Sequence, residues 1–325
     1  MINLFRTLNP INLLMLVILA VILRSGILLN PPETLDFTLF ESYASVLFNL
    51  PSESLFSVET NLFLALLLTL IQAALFNKVV NEYNLLGKQS YLPALMYVTG
   101  SSLLVHFLVL TPVLVCNFLV IWMLNKFLSI HRKDSAQSVM FDLGMIIAVG
   151  TLIYLPFIAM MVLLWISLII FRPFNWREWI VGIIGFVTIY FFIAVAYYWT
   201  DSLEELRSFK VPLAMEFKLP VINIYNYLVL IPLLLILFLS VISLQQKLYR
   251  SYVHIRKSYL MLFFVFVFSL LSFFITQEYP IYHFLLAVPA VAVFMGFYFI
   301  SANKRWFYES LYLVLVGCIV YFQFF

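Results

Sequence analysis

Residues 179–199 read WIVGIIGFVTIYFFIAVAYYW and contain no charged side chain. A stretch of about 20 mostly apolar residues is long enough to cross a bilayer as an α-helix. Of the 325 residues in the chain, 65% are hydrophobic and 10% are charged, against about 45–50% and 25% in typical soluble proteins. A soluble fold cannot bury this much apolar surface, so the sequence predicts an all-α, polytopic membrane protein.

Eleven apolar runs are predicted as membrane spans. They lie at residues 10–29, 61–77, 91–109, 112–127, 139–153, 155–171, 179–199, 224–244, 258–275, 281–300 and 306–325. Several boundaries are marked by proline or by charge, at Pro10, Pro93, Pro112, Pro156 and Lys304-Arg305. Because only Tyr154-Leu155-Pro156 separates the fifth and sixth runs, a hairpin and a single kinked helix both stay open.

The cations predict the orientation of the chain. With the N-terminus in the cytoplasm and the spans alternating, 14 of the 18 Lys and Arg residues fall on the cytoplasmic side. The outer exceptions are Arg24, Arg207, Lys210 and Lys218. Cationic loops are retained inside during insertion, so the bias predicts a cytoplasmic N-terminus and a periplasmic C-terminus. Merging the fifth and sixth runs would destroy this bias, which favours eleven spans.

The chain is predicted to be one integral membrane domain, residues 1–325. Residues 1–199 form a seven-helix module with a long outer loop at 30–60, residues 200–223 form a second outer loop, and residues 224–325 add four helices. In the first loop, residues 36–50 place apolar side chains on one helical face and polar side chains on the other. This pattern predicts a helix that lies in the membrane interface.

The first outer loop supplies the candidate catalytic groups. Glu33, Asp36 and Glu41 lie between a span and the predicted interfacial helix. A carboxyl group that is partly removed from water has a raised pKa and can serve as a general base. The alternative is that these acids only keep the loop solvated.

Outer cations supply the candidate anion-binding groups. Arg24 lies at the outer end of the first span, where a guanidinium either snorkels to the interface or binds a phosphate or carboxylate. Arg207, Lys210 and Lys218 lie in the second outer loop, where they either bind an anionic head group or diphosphate or pair with the acids of that loop. His283, beside the last outer turn, can titrate near neutral pH or act as an interfacial donor.

Polar residues inside the spans are few. Gln72, His106 and Asn117 are predicted to form hydrogen bonds between helices. Essentially all charges lie at the ends of spans, which disfavours an ion-coupled or proton-coupled pump. Because Cys116 and Cys318 and the scattered histidines form no disulfide framework or metal motif, no cofactor is predicted, and a requirement for a divalent metal is left open.

With these residues in place, the layout resembles the GT-C superfamily of membrane glycosyltransferases. Arg24, the three first-loop acids and the interfacial helix occupy the place of that fold's first outer loop. Residues 200–223 occupy the place of its outer loop between spans seven and eight. The stretch from Tyr279-Pro280-Ile281-Tyr282-His283 to Pro289 is similar to a late span of those enzymes. The opening MINLFRTLNPINLL is similar to an uncharacterised multispanning inner-membrane family of Bacteroidota.

The resemblance implies an enzyme of the cytoplasmic (inner) membrane that transfers a sugar from a polyprenyl-phosphate carrier to an acceptor at the periplasmic face. The implied catalytic residues are Glu33, Asp36 and Glu41, and the implied carrier-binding residues are Arg24, Arg207, Lys210, Lys218 and His283. The alternatives are a non-catalytic scaffold or assembly partner of an envelope machine, and a flippase for lipid-linked sugars. Expected partners are membrane lipid, the lipid-linked sugar and, for the scaffold, an envelope protein. Nucleic acid is not expected, because no basic tract with interleaved aromatic residues occurs.

Overall fold

The computed structural model describes residues 1–32, 57–133, 135–201, 227–249, 251–275 and 280–324. Its α-helices are α1 (Ile2–Phe5), α2 (Ile11–Ile22), α3 (Ser25–Leu29), α4 (Val58–Glu82), α5 (Leu92–Gly100), α6 (Pro112–Ser129), α7 (Gln137–Ile153), α8 (Met161–Phe171), α9 (Trp176–Trp199), α10 (Leu230–Leu248), α11 (Val253–Leu271), α12 (Val288–Ser301) and α13 (Arg305–Phe324). Short 3₁₀ segments lie at Val105–Phe107, Ile130–Arg132, Leu155–Met160, Ser272–Phe274 and Ile281–Ala287. These residues contain no strand, which confirms the all-α class.

Seven helical stretches in the described part of the chain are long and apolar enough to cross a membrane. They are Val58–Glu82, Pro112–Arg132, Trp176–Trp199, Leu230–Leu248, Val253–Phe274, Ile281–Ser301 and Arg305–Phe324. Each overlaps a run that the sequence predicts as a span. Side-chain caps fix where several of them start; for example, the Thr111 hydroxyl accepts a hydrogen bond from the Leu114 amide at 3.2 Å, and Pro112 follows it.

The remaining predicted spans are shorter helices. The run at 91–109, which is predicted as a span, is not one continuous helix, because α5 ends at Gly100 after nine residues, a length of about 14 Å. The hydroxyl of Ser101 donates to the carbonyl of Val98 at 3.1 Å, and Leu104 is extended. Serine side chains compete in this way with the backbone hydrogen bonds of a helix, which explains the early end.

The fifth and sixth predicted runs are separate helices. Tyr154 is extended, with φ −151° and ψ 108°, and the 3₁₀ turn at Leu155–Met160 starts directly after it. This turn and α8 both pack back against α7. A Cβ atom on Gly150 would overlap the ring of Phe157, so the close return depends on that glycine. The geometry is that of a hairpin and not of one kinked helix.

Helices α5 and α12 form the centre of the bundle. All nine residues of α5 are buried, and it packs against α2, α4 and α12. In the most apolar 18-residue part of the Ile281–Ser301 stretch, 78% is buried inside the protein, whereas the corresponding share is 17% for α9 and 22% for α10 and for α13. A helix that is apolar on all sides lies in a protein interior or in lipid, so the outer faces of α9, α10 and α13 are suited to lipid.

The N-terminal helices close against the C-terminal helix. A carboxylate oxygen of Glu309, on α13, accepts a hydrogen bond from the amide of Asn3 at 3.0 Å. Near the other end of α13, the side-chain oxygen of Gln323 accepts from the amide of Gly26 at 3.2 Å. The Gln323 amide also donates to the carbonyl of Leu23. These contacts join residues about three hundred positions apart in the sequence.

One end of the bundle gathers the cation-bearing segments. We call it the cationic end; it is formed by residues 1–6, 78–91, 126–133, 172–178, 247–249, 251–257 and 301–309. Its segments are joined by the contacts Arg6 to Ala302, Arg132 to Glu82, Arg172 to Lys133, and Lys247 to Ser301. All Lys and Arg residues in the described ranges belong to this end, except Arg24. The segregation of cations predicted from the sequence is therefore present in the fold.

Candidate functional site

The end opposite the cationic end, called here the opposite end, carries both flanks of the first long predicted loop. Most of that loop lies outside the described residues. It leaves the described chain after α3 and returns at α4, where Val58 packs against Ile27, Leu62 and Leu108. Both flanks of this loop therefore lie at the opposite end.

The second long predicted loop has its flanks at the same end. It leaves after α9, where Tyr197 packs against Leu152 and Leu155 beside the α7 turn. It returns at Tyr227, which lies with Gln323 around a small cavity. Gln323 in turn contacts the α2–α3 junction. The two long segments therefore begin and end at one end of the bundle.

Arg24 is the one cation of the described ranges that lies at the opposite end. Its side chain is enclosed, with the residue 1% exposed. Nη2 donates to the hydroxyl of Thr69 at 2.7 Å and Nη1 donates to the carbonyl of Leu108 at 3.2 Å, whereas Nε is buried without a partner. No ion pair within the described chain includes it. Arg24 therefore does not snorkel to the surface, and its burial costs free energy that a nearby anion would offset.

Buried polar groups continue from Arg24 into the bundle. Gln72 donates to a carbonyl at the start of α6 at 2.6 Å and accepts from the hydroxyl of Tyr97 at 2.8 Å. Tyr97 also interacts electrostatically with Arg24 and by a side-chain hydrogen bond with Asn117. Asn117 donates to the carbonyl of Leu285 at 3.1 Å, and its side-chain oxygen is buried without a partner. The hydrogen bonds between helices predicted for Gln72 and Asn117 are confirmed.

His283 is fully buried and holds the α7 turn against α11. Its Nδ1 lies 2.7 Å from the hydroxyl of Tyr154, and its Nε2 lies 2.9 Å from the carbonyl of Ser269 and 3.0 Å from the hydroxyl of Ser272. Because a carbonyl can only accept, Nε2 carries the proton and Nδ1 accepts from Tyr154. Both ring nitrogens are thus engaged by protein groups. A carrier-binding role for His283 stays a prediction, and it would require one of these bonds to open.

Most of the other predicted site residues lie outside the described residues. These are Glu33, Asp36, Glu41, Arg207, Lys210 and Lys218, together with the predicted interfacial helix over 36–50. Their roles stay predictions. Arg24 and His283 share the opposite end, and no hydrogen bond joins them. Within the part of the chain that the structure describes, no group of three or more His, Cys, Asp or Glu side chains could hold a metal ion.

Two adjoining cavities open at the opposite end. The larger, of about 520 Å³, lies between α5, α10, α11 and α12 and is lined by apolar side chains. The smaller, of about 300 Å³, is lined in part by His106, Tyr227 and Gln323. The cavities share Leu103, Leu104 and Tyr227. The prediction that His106 bonds between helices is wrong, because His106 is exposed and lines the smaller cavity.

Residues 42–325 match the model of a family described as a family of unknown function, DUF6427. The chain belongs to this family. No curated protein and no solved structure matches it. The matched residues of this DUF6427 protein include both cavities and His283, and they begin one residue after Glu41, the last of the three candidate acids.

Two polar residues of this DUF6427 protein, Thr69 and Tyr154, were missed from sequence. Thr69 precedes Gln72 by three positions on α4, so the two share a helical face, and this spacing could have predicted that both serve one network. Tyr154 gave no such signal. It meets His283 across 129 positions, and only the hairpin after α7 brings the two together.

Proposed function

We propose that this DUF6427 protein is a GT-C-like glycosyltransferase of the cytoplasmic membrane. It transfers a sugar from a polyprenyl-phosphate carrier to an acceptor at the periplasmic face. The observation that supports this proposal is the common position of the two long segments, whose flanks lie at the end opposite the cations. Because cationic segments stay in the cytoplasm, the opposite end faces the periplasm. In this arrangement all eleven apolar runs lie in the membrane, and the C-terminus is periplasmic.

The first-loop acids supply the base of the proposed reaction. Glu33 or Asp36 removes the proton of an acceptor hydroxyl, whose oxygen attacks the anomeric carbon of the sugar. The bond between that carbon and the phosphate oxygen breaks, and polyprenyl phosphate leaves with the electron pair. Glu41 is the third candidate. Because the loop contains no adjacent Asp-Asp, Asp-Glu or Glu-Asp pair, each acid has to be tested singly.

Arg24 supplies the electrostatic part of the proposal. Its buried guanidinium has no acidic partner among the described residues and keeps Nε open. A leaving phosphate would provide the missing negative charge, and charge-assisted hydrogen bonds to it strengthen as that charge develops. Arg207, Lys210 and Lys218 are proposed to join Arg24 in binding the carrier phosphate, and His283 is retained as a further candidate.

The test measures lipid-linked sugars extracted from a strain that lacks the protein. The proposal expects such sugars to accumulate and to fall again when the wild-type chain is restored. Glu33→Gln or Asp36→Asn is expected to lower turnover by about 100-fold or more, the contribution typical of a general base. Glu59→Gln is the matched control, because Glu59 is an exposed acid in the first turn of α4. This variant is expected to restore normal levels.

The same strains separate the alternatives. If Glu33→Gln, Asp36→Asn and Glu41→Gln all restore normal levels, the base assignment is rejected. A stoichiometric protein that co-purifies in mild detergent would then support the scaffold. Movement of the lipid-linked sugar across reconstituted vesicles without product formation would support the flippase.

A further inference from the structure

The larger cavity has the lining of a hydrocarbon site. Its walls come from four helices and from the segment after α5, and they include Leu103, Leu230, Leu237, Phe266 and Val291. Nearly all of its surface is apolar. An apolar space that stays empty forfeits the dispersion contacts of the atoms around it. In a bilayer, the acyl chains of the surrounding lipids are available to fill this cavity.

The size of this cavity fits one acyl chain. At roughly 30 Å³ for each water-sized unit, a volume of about 520 Å³ holds on the order of 17 such units, and a methylene is of similar size. Along α10 the lining runs from Leu230 to Leu237, which is about 10 Å of helix axis. One leaflet of the hydrocarbon core is about 15 Å deep. The cavity therefore reaches through most of one leaflet.

The cavity has access to lipid on one side and a polar mouth at its end. Leu234 lines it and is nevertheless 61% exposed on the outer face of α10, so this wall borders the surrounding bilayer. At the opposite end of the bundle, the adjoining smaller cavity presents His106, Tyr227 and Gln323. A long apolar space that leads to a few polar groups matches an amphiphile with one chain inside and its head group at the mouth.

We infer that the larger cavity binds one acyl chain of a membrane phospholipid from the leaflet nearest the opposite end. The head group of that phospholipid lies at the smaller cavity, where His106, Tyr227 and Gln323 can form hydrogen bonds to it. A polyprenyl chain is several times longer than this cavity and does not fit inside it. The site is therefore distinct from the proposed reaction, and neither depends on the other.

The test uses the full chain reconstituted with a phospholipid whose acyl chain carries a photoactivatable diazirine near its end. Cross-linked residues are mapped by mass spectrometry. We expect cross-links to the cavity side of α10, α11 and α12. Leu237→Trp, which fills the cavity, is expected to abolish them. Leu235→Trp is the matched control, because Leu235 lies on the same helix, is 45% exposed and does not line the cavity.

Two results would overturn the inference. One is cross-linking that follows surface exposure alone, with the outer face of α9 labelled as strongly as the cavity, and that Leu237→Trp leaves unchanged. The other is complete displacement of the phospholipid by added polyprenyl phosphate, which would assign the site to the carrier. If Leu237→Trp elutes as an aggregate, the smaller change Leu237→Phe is used, with reduced cavity labelling as the expected result.

Discussion

Arg24 carries a buried charge that the rest of the described chain does not neutralise. Its two hydrogen bonds, to Thr69 and to Leu108, are made by neutral groups. Replacing a buried ion by an apolar side chain of similar volume is often neutral or stabilising. An ionisable residue inside a membrane segment is by default a candidate for function. Burial without a counter-charge among the described residues therefore favours a role for Arg24 in binding an anion over a role in stability.

We predict that Arg24→Met leaves the free energy of unfolding within about 1 kcal/mol of the wild type. The lost hydrogen bonds contribute about 1 kcal/mol each, and the desolvation cost that disappears with the charge offsets them. Thermal unfolding in detergent, followed by tryptophan fluorescence, measures this change. The lipid-linked sugar assay of the same variant should show loss of turnover. A large loss of stability would instead mark Arg24 as a structural residue.

The hydrogen bonds of His283 contribute to stability in unequal amounts. Tyr154→Phe removes the donor to Nδ1 and leaves a buried acceptor unpaired, so it should cost about 1–3 kcal/mol. Ser272→Ala is the matched control, because Nε2 keeps its bond to the carbonyl of Ser269 and the cost should be smaller. Unfolding of both variants in detergent measures the difference. Equal effects would contradict the assigned protonation of the ring.

Sequence patterns could predict some of these residues and not others. Gln72 and Asn117 stood out as amides within apolar runs, and their hydrogen bonds follow from the cost of leaving such groups unpaired. The orientation of Arg24 could not be predicted. A guanidinium near a helix end can turn outward or inward, and the choice depends on Thr69 and on the chain near Leu108, which the fold brings from elsewhere.

Helices α7 and α9 pack closely against each other, and glycines permit this close approach. A Cβ atom on Gly144 would overlap the carbonyl oxygen of Gly182, and a Cβ atom on Gly185 would overlap the carbonyl oxygen of Phe141. Small residues let helix backbones approach in this way inside membranes. The spacing Gly182-Ile-Ile-Gly185 was a signal in the sequence that could have predicted this contact.

We predict that Gly144→Ala and Gly185→Ala each destabilise the protein by about 1–3 kcal/mol, because the added methyl group forces the two helices apart. Gly317→Ala on α13 is the matched control, since its added Cβ would meet no atom within 4 Å. It should be neutral or stabilising by up to about 1 kcal/mol. Melting curves of the three variants in one detergent test the contrast. A loss at Gly317 equal to the others would remove the packing explanation.

Most helix positions could be predicted from the sequence, and fewer of the helix ends could. Boundaries set by proline or by charge were predictable, as at Pro112 and at Lys304-Arg305. The early end of α5 was not, because an apolar run does not reveal that Ser101 turns back onto the helix. The break in the first run at Leu23 and Arg24 was also missed, because the run is apolar on both sides of it.

The whole molecule has two ends of different charge, and their sidedness can be measured. We predict that single cysteines replacing Asn30 and Thr200 react with a membrane-impermeant thiol reagent on intact spheroplasts. Cysteines replacing Asn84 and Ser135, near the cationic end, should react only after permeabilisation. Cys318 is partly exposed, so it is first replaced by serine. Labelling of positions 30 and 200 from different sides would end the glycosyltransferase proposal.

The all-α class and the charge asymmetry of the two ends could be predicted, since both follow from composition and from the rule for cation retention. The two cavities could not be predicted from the sequence. They arise where α5 stops halfway and α10, α11 and α12 surround the space beyond it. The local sequence of each helix does not determine how far it lies from the other helices, so the cavities have no signal in the sequence.

The hydrogen bonds between the N-terminal helices and α13 have a consequence for biosynthesis. Residues 2–26 form hydrogen bonds with Glu309 and Gln323, which are synthesised about three hundred residues later. At 5–20 residues per second, the ribosome needs about 15–60 s to synthesise that length of chain. Until then, backbone amides of Ile2, Asn3 and Gly26 lack their acceptors. In a stalled or truncated chain these amides would stay unpaired, and membrane proteases could reach the N-terminal helices. The N-terminal helices therefore reach their final packing only after α13 has been synthesised.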